Sequence, residues 1–320
     1  MRATARAQPN IALIKYWGKR DSQRNLPAVG SISVTLDELY TTMRVELDGA
    51  LDHDELRVNG SDARSMLPRV SRCLDTVLGA ERLRARVTST SNFPIAAGLA
   101  SSASSFAALV AAASAAGGRN STVDELAGLA GRASGSAARS LYGGFVELRN
   151  EPDGIAVGTI LDGDTWPLRI VAAVTSKAPK PIGSGEAMEV SRRTSPFYSR
   201  WVEEQEMDLA TARDAIVMRD FGKLASVAEH NCLKMHSVMW ASRPPVVYWN
   251  AATLACLERV RELQAEGVGA FFTIDAGPQV KVVCLPGDEA RVIDALSGTD
   301  GVESVLASGI GAGATLVNGD

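Results

Sequence analysis

The side chains of this sequence that can do chemistry are cations, hydroxyls and one well-placed carboxylate. The run Pro9-Asn10-Ile11-Ala12-Leu13-Ile14-Lys15-Tyr16-Trp17-Gly18-Lys19-Arg20-Asp21 sets Lys15, Tyr16, Lys19 and Arg20 just past an apolar stretch. Three cations beside a phenol suit an anionic substrate, because they give charge-assisted hydrogen bonds to phosphate or carboxylate oxygens. Read in isolation, the run is better explained as a solvated surface turn. Residues 91–105 read Ser-Asn-Phe-Pro-Ile-Ala-Ala-Gly-Leu-Ala-Ser-Ser-Ala-Ser-Ser, after a strand pattern and before a helix pattern. Gly98 and its small neighbours let backbone N–H groups approach an anion, Ser101, Ser102 and Ser105 add hydroxyls, and the positive end of the following helix favours phosphate. The loop has no lysine of its own and is not G-x-x-x-x-G-K-[ST]; a small-residue helix start packed on a sheet accounts for it equally well.

Two further sites stand later in the chain. Ser134-Gly135-Ser136-Ala137-Ala138-Arg139-Ser140 puts two hydroxyls that can hold a phosphate beside an arginine whose planar fork suits a carboxylate. A structural arginine tying loop carbonyls together is the other reading. Phe272-Thr273-Ile274-Asp275-Ala276-Gly277-Pro278 ends an apolar strand on an acid. A carboxylate partly removed from water, if Lys15 and Arg139 surround it, could stay ionised and accept or orient the proton of a hydroxyl, although an Asx turn capping the loop also satisfies the spelling.

The elements that must hold these residues follow from periodicity. Apolar and β-branched runs predict strands over 11–15, 31–35, 42–47 and 83–89 of a largely antiparallel sheet, with turns over 48–54 and 58–63. Helical spacing predicts a helix over 66–78, and Gly98 opens an Ala/Ser run to Ala116 that Gly117-Gly118 ends. Thr122-Val123-Asp124-Glu125 spells a capping box for a helix through Leu129, and a strand follows over 145–148. A second half opens near Trp166 with a buried strand, then helices around 185–193, 199–207, 208–229 and 251–266, strands 268–274 and 281–284, and a helix over 288–296. The expected division is 1–165 and 166–320, with the two halves closely packed. Gly309-Ile310-Gly311-Ala312-Gly313-Ala314 looks like a nucleotide loop but has no helix after it, and reads as a turn before a terminal strand.

Composition removes whole classes of function. With 320 residues, 46% apolar and 22% charged, the chain buries a sizeable core and is not disordered. A net charge of −4 lacks the field of a nucleic-acid binder. The four cysteines, Cys73, Cys232, Cys256 and Cys284, form no C-x-x-C pair, and His53, His230 and His236 form no H-x-x-x-H, so neither a disulfide scaffold nor a metal site is expected. The polar start MRATARAQPN and the serines interrupting residues 96–116 argue against a signal or membrane segment, and a cytoplasmic protein is expected.

Taken together, P-N-I-A-L-I-K-Y-W-G-K-R-D, N-F-P-x-A-A-G-L-A-S-S-A and S-G-S-A-x-R-S-L-Y-G-G-F-V-E, in that order, resemble the diphosphomevalonate decarboxylases of the GHMP kinase superfamily from about Thr4 to the last strands. The resemblance implies an α+β GHMP kinase fold of two α/β lobes around a deep cleft, and ATP-dependent decarboxylation of mevalonate 5-diphosphate with Mg²⁺ bridging phosphates. It gives Asp275 and Lys15 catalytic roles and Arg139 the substrate carboxylate. Tyr16, Lys19, Ser134, Ser136 and Ser184 would hold the diphosphate. Gly98, Leu99, Ala100, Ser101, Ser102, Ser105 and Arg69 would hold ATP, Arg69 reading as a solvated helix residue just as well. Asn231 and His236 also match family positions, with helix packing the better reading for His236. The resemblance further implies a homodimer. Two departures stand out: Val29-Gly30 where eukaryotic relatives spell Asn-Ser, and Gly183-Ser184-Gly185 in a loop usually richer in serine. A decarboxylase of the monophosphate, a kinase that stops at phosphorylation and a non-catalytic nucleotide-binding module remain alternatives.

Overall fold

In a computed structural model of the chain, which describes residues 1–93, 100–178 and 180–317, the expected elements form with shifted ends. The first helix, α1 (Leu67–Leu78), carries proline in its first turn, where the missing N–H costs nothing. The Ala/Ser run is α2 (Ser101–Ala116), with almost every residue from Ala103 buried because it lies between the six-stranded sheet and helices α1 and α3 (Val123–Ala133). Small side chains are what such a sandwiched helix requires. The capping box forms as spelled: the Glu125 N–H donates to Thr122 Oγ1 and the Thr122 N–H to Glu125 Oε2.

That sheet runs in the order Thr315–Val317, Arg2–Ala7, Thr41–Asp48, Arg84–Ser91, Glu55–Val58, Ser61–Asp62. The N-terminal strand and the final strand that returns to pair with it at the sheet edge carry too little apolar signal to be seen by periodicity. A second sheet orders Gly154–Leu161, Phe145–Glu151, Ser31–Thr35 and Asn10–Ile14. A third orders Ala270–Ile274, Val280–Cys284, Arg169–Val174 and Ser304–Ser308. The last two sheets share one core, in which Ile11, Leu13, Ile32 and Val34 pack with Ile170, Leu209, Ala212 and Phe271.

The remaining helices are α4 (Ser184–Thr194), α5 (Tyr198–Met218), α6 (Phe221–Trp240), α7 (Ala251–Ala265) and α8 (Glu289–Ser297). The break expected between 207 and 208 is absent, since nothing there opposes helix and Asp208 is buried in ion-paired form. The chain turns instead at Arg219, in left-handed conformation, and Asp220 caps α6 by accepting from the Lys223 N–H. The glycines of 309–314 serve packing. A Cβ on Gly311 would stand 2.5 Å from the Leu36 carbonyl oxygen, and one on Gly313 2.2 Å from that of Leu141, so the segment threads between two backbones with no room for side chains.

Candidate active site

The strand Asn10–Ile14 ends at the floor of a cleft of about 900 Å³, and Lys15 is the next residue. A lysine only 1% exposed needs an anion, and it has one: Lys15 Nζ lies 2.7 Å from Asp275 Oδ1 and also donates to the Ala12 carbonyl. Asp275 follows the strand Ala270–Ile274, so the meeting of two strand ends from opposite halves of the chain creates the pair. The second carboxylate oxygen, Oδ2, lies 3.2 Å from Lys281 Nζ. Burial would lift the Asp275 carboxyl, but the two ammonium groups hold it well below the usual carboxylate range. Lys281 escaped sequence reasoning. Its signal was a charge inside the apolar strand Val280–Cys284.

The Lys15 peptide is gripped from both sides. Its N–H donates to Asn231 Oδ1 at 2.7 Å, and its carbonyl accepts from Gln205 Nε2 at 2.7 Å. Asn231 in turn donates to Gln205 Oε1 and Asp208 Oδ2, and Asp208 pairs with Lys234. Thus α5 and α6 fix where the lysine leaves its strand. His236 packs against Trp249, with Nε2 3.2 Å from the Ile274 carbonyl oxygen, and burial pushes it down to about 3, so it is neutral.

Arg139, 2% exposed, leads a 3₁₀ turn. Its Nε donates to Ser33 Oγ, Nη1 to Ser31 Oγ and Nη2 to Asn10 Oδ1, side chains rather than loop carbonyls. Burial lowers its pKa to about 10, which leaves it a cation at neutral pH. Asn10 also donates to the Ser136 carbonyl and Ser140 Oγ, tying the loop to the strand. Asn10, Ser31 and Ser33 were not singled out by sequence, because strand residues with small polar side chains look like any other. Gly135 is required where it stands: a Cβ there would lie 2.8 Å from the Tyr16 ring, which packs against the loop.

Of the expected site residues, the cleft lining includes Lys15, Tyr16, Lys19, Arg69, Ala100, Ser102, Ser134, Ser136, Arg139, Ser184 and Asp275. Ser101 and Ser105 are not among the lining residues, and Gly98 and Leu99 lie outside the described residues. Arg20 is elsewhere; it donates to the carbonyls of Glu151, Pro152 and Gly154, bracing a hairpin. Ser184 opens α4, and Arg69 donates to the Ala133 carbonyl while lying over the Phe106 ring. Gly30 is a packing position, where a Cβ would meet the Leu148 carbonyl oxygen and Leu209 at 2.9 Å. Among the described lining residues, Lys15, Lys19, Arg24, Arg69, Arg72, Arg132, Arg139 and Lys180 face a single acid, Asp275. Such a field is built for polyanions.

Residues 7–156 match a family model described as the diphosphomevalonate decarboxylase-like N-terminal domain, and residues 170–306 one described as the mevalonate 5-diphosphate decarboxylase C-terminal domain. The diphosphomevalonate decarboxylase of Candida albicans is 34% identical over 318 residues, covering 92% of this chain and 87% of the relative. MDDEF, solved in complex with MVAPP, AMPPCP and magnesium, superposes with TM-score 0.93 at 34% identity, covering 100% of this chain and 99% of that one. The mevalonate diphosphate decarboxylase of Staphylococcus aureus superposes with TM-score 0.93 at 35% identity, covering 99% and 98%.

Proposed function

The chain belongs to the diphosphomevalonate decarboxylase family and is an ATP-dependent decarboxylase of the GHMP kinase fold; from that premise we propose how its residues divide the reaction. The substrate is mevalonate 5-diphosphate, and the products are isopentenyl diphosphate, ADP, phosphate and carbon dioxide. One observation carries the assignment of roles: the Lys15–Asp275 pair on the floor of a cation-lined cleft, with the buried Arg139 in the same lining.

Asp275 accepts a hydrogen bond from the C3 hydroxyl and aims its oxygen at the γ-phosphorus of ATP. Because its carboxyl is held well below the usual range, it orients the hydroxyl more than it stores the proton, which leaves with the phosphate product. Lys15 offsets the negative charge growing on the transferred group. After transfer, the C3–oxygen bond breaks with release of phosphate. Arg139 holds the carboxylate so that the C1–C2 electron pair moves into a C2–C3 double bond as carbon dioxide leaves. Tyr16, Lys19, Ser134, Ser136 and Ser184 hold the diphosphate, and that remote binding fixes the reacting hydroxyl. Ala100 and Ser102, which line the cleft at the start of α2, serve the nucleotide phosphates together with Gly98, Leu99 and Arg69, whereas Ser101 and Ser105, outside that lining, are given no nucleotide contact.

Magnesium fits this donor set as an ion carried by phosphate oxygens. Among the described residues no three His, Cys, Asp or Glu stand together, and the cleft carboxylate is already paired with two lysines. The Ser102 hydroxyl would help hold the ion, whose chemistry is to neutralise phosphate charge. Division into lobes at 1–165 and 166–320 is supported by the spans of the two family models. Four free, buried cysteines support a cytoplasmic, reducing setting. Homodimerisation rests on family membership and is read by light scattering.

The deciding assay supplies ATP, Mg²⁺ and mevalonate 5-diphosphate and measures ADP against carbon dioxide. Equal amounts are expected. ADP alone would mean a kinase without decarboxylation, and turnover only with the monophosphate would reassign the substrate.

A further inference from the structure

Lys281 is absent from the lining of the cleft, and no part of the proposed chemistry uses it. It stands on the strand Val280–Cys284, directly opposite Thr273 in the antiparallel register. Side chains alternate along a strand, so Thr273, Asp275 and Lys281 share one face, while Val280, Val282 and Cys284 pack into the core on the other. Lys281 is 0% exposed. A lysine at such a position is costly unless it is paired, and an apolar residue would suit the strand better. Its ammonium lies 3.2 Å from Asp275 Oδ2 and 3.4 Å from the Gln279 carbonyl oxygen.

The two oxygens of Asp275 are thus held differently. Oδ1 faces Lys15, a residue of the cleft that polyanions reach; Oδ2 faces Lys281, which lies behind the strand end and out of their reach. Phosphate oxygens entering the cleft compete with Asp275 for the Lys15 ammonium, and one cation cannot neutralise both fully. We propose that Lys281 is a positioning residue that keeps Asp275 oriented while Lys15 is drawn toward the transferred phosphoryl group. The inference rests on the decarboxylase reading and on the role of Asp275 in it.

Groups facing Asp275 come from every neighbouring element: Lys15 from just past the strand Asn10–Ile14, Lys281 from its own sheet, Arg139 from the 3₁₀ turn, Lys180 from the loop before α4, and Cys232 and the neutral His236 from α6. Cys232 and His236 carry no charge near pH 7, so Lys281 is the cation whose removal leaves Asp275 dependent on cleft residues. With it gone, protonation of Asp275 begins at higher pH.

The test measures kcat and KM at neutral pH, together with thermal unfolding, for wild type, Lys281→Met, Lys281→Gln, Lys281→Arg and Asp275→Asn. For Lys281→Met we expect KM within about threefold and kcat about tenfold lower. Lys281→Arg, which keeps the cation, restores most of kcat. Should the Met variant not fold, Lys281→Gln is read by the same two constants. A wild-type kcat in the neutral variants, or an equal loss in Lys281→Arg and Lys281→Met, would overturn the inference. Asp275→Asn separates the two levels: turnover retained there removes the assigned role of Asp275, whereas an inactive Asp275→Asn beside a wild-type-like Lys281→Met removes only the role of Lys281.

Discussion

At Arg139, three of the five guanidinium N–H groups are taken by Ser31, Ser33 and Asn10, which leaves two for a ligand. The three side chains fix the plane of the fork, so what is offered to the substrate is a direction as well as a charge. Lysine supplies the charge without the plane. Arg139→Lys is therefore expected to weaken mevalonate 5-diphosphate binding by about 10- to 100-fold, as losing a charge-assisted hydrogen bond does. An analogue lacking the C1 carboxylate should bind both proteins alike. Titration calorimetry checks both statements, and an equal loss for the two ligands would place the carboxylate elsewhere. The motif around Arg139 was legible in sequence; its three anchors were not, because they come from strands more than a hundred residues away.

Elements in this fold are tied by buried polar groups as well as by apolar faces. The clamp of α5 and α6 on the Lys15 peptide is one case, and the Asp54–Arg82 pair is another. Asp54 precedes the strand Glu55–Val58, accepts two hydrogen bonds from Arg82, and also accepts from the Ala85 N–H of the neighbouring strand Arg84–Ser91. Burial would raise its carboxyl, but these partners lower it from 3.8 to about 2. A folded-state pKa below the unfolded one gives stability that is full above about pH 4 and is lost as pH falls toward 2. The shift is worth about 2 kcal/mol. Urea unfolding of Asp54→Asn should show a deficit of that size at pH 7, shrinking as pH drops from 4 toward 2.5; a deficit unchanged over that range would sink the linkage. Sequence marked this region only as a turn, since a pairing across 28 residues leaves no periodic trace.

On the scale of the whole molecule, the chain closes on itself. The final strand Thr315–Val317 pairs with Arg2–Ala7, and the glycine segment before it runs between residues 35–37 and 140–144 through bonds such as the Gly311 N–H to the Thr35 carbonyl. Together with the core shared by the two halves, this should make unfolding a single cooperative event. Gly311→Ala places a methyl 2.5–2.6 Å from backbone atoms that cannot move independently. Its expected cost is about 1–3 kcal/mol of overpacking, read by calorimetry as one transition at lower temperature. Two separated transitions in either protein would show that the halves unfold on their own.

By itself the sequence determined the family, the apolar faces that become strands and helices, and the motifs that carry Lys15 and Arg139 to the cleft, because each is written in local spacing or in a continuous motif. It also marked Asp275 as an acid ending an apolar strand. Only the tertiary structure decided which charge meets which. Lys15 and Asp275 are 260 residues apart, and Lys281 shares their site through a strand register that no linear pattern displays. A charge on a short strand looks like a blemish until folding sets its partner across from it, since its energy depends on a distance between elements rather than on a distance along the chain.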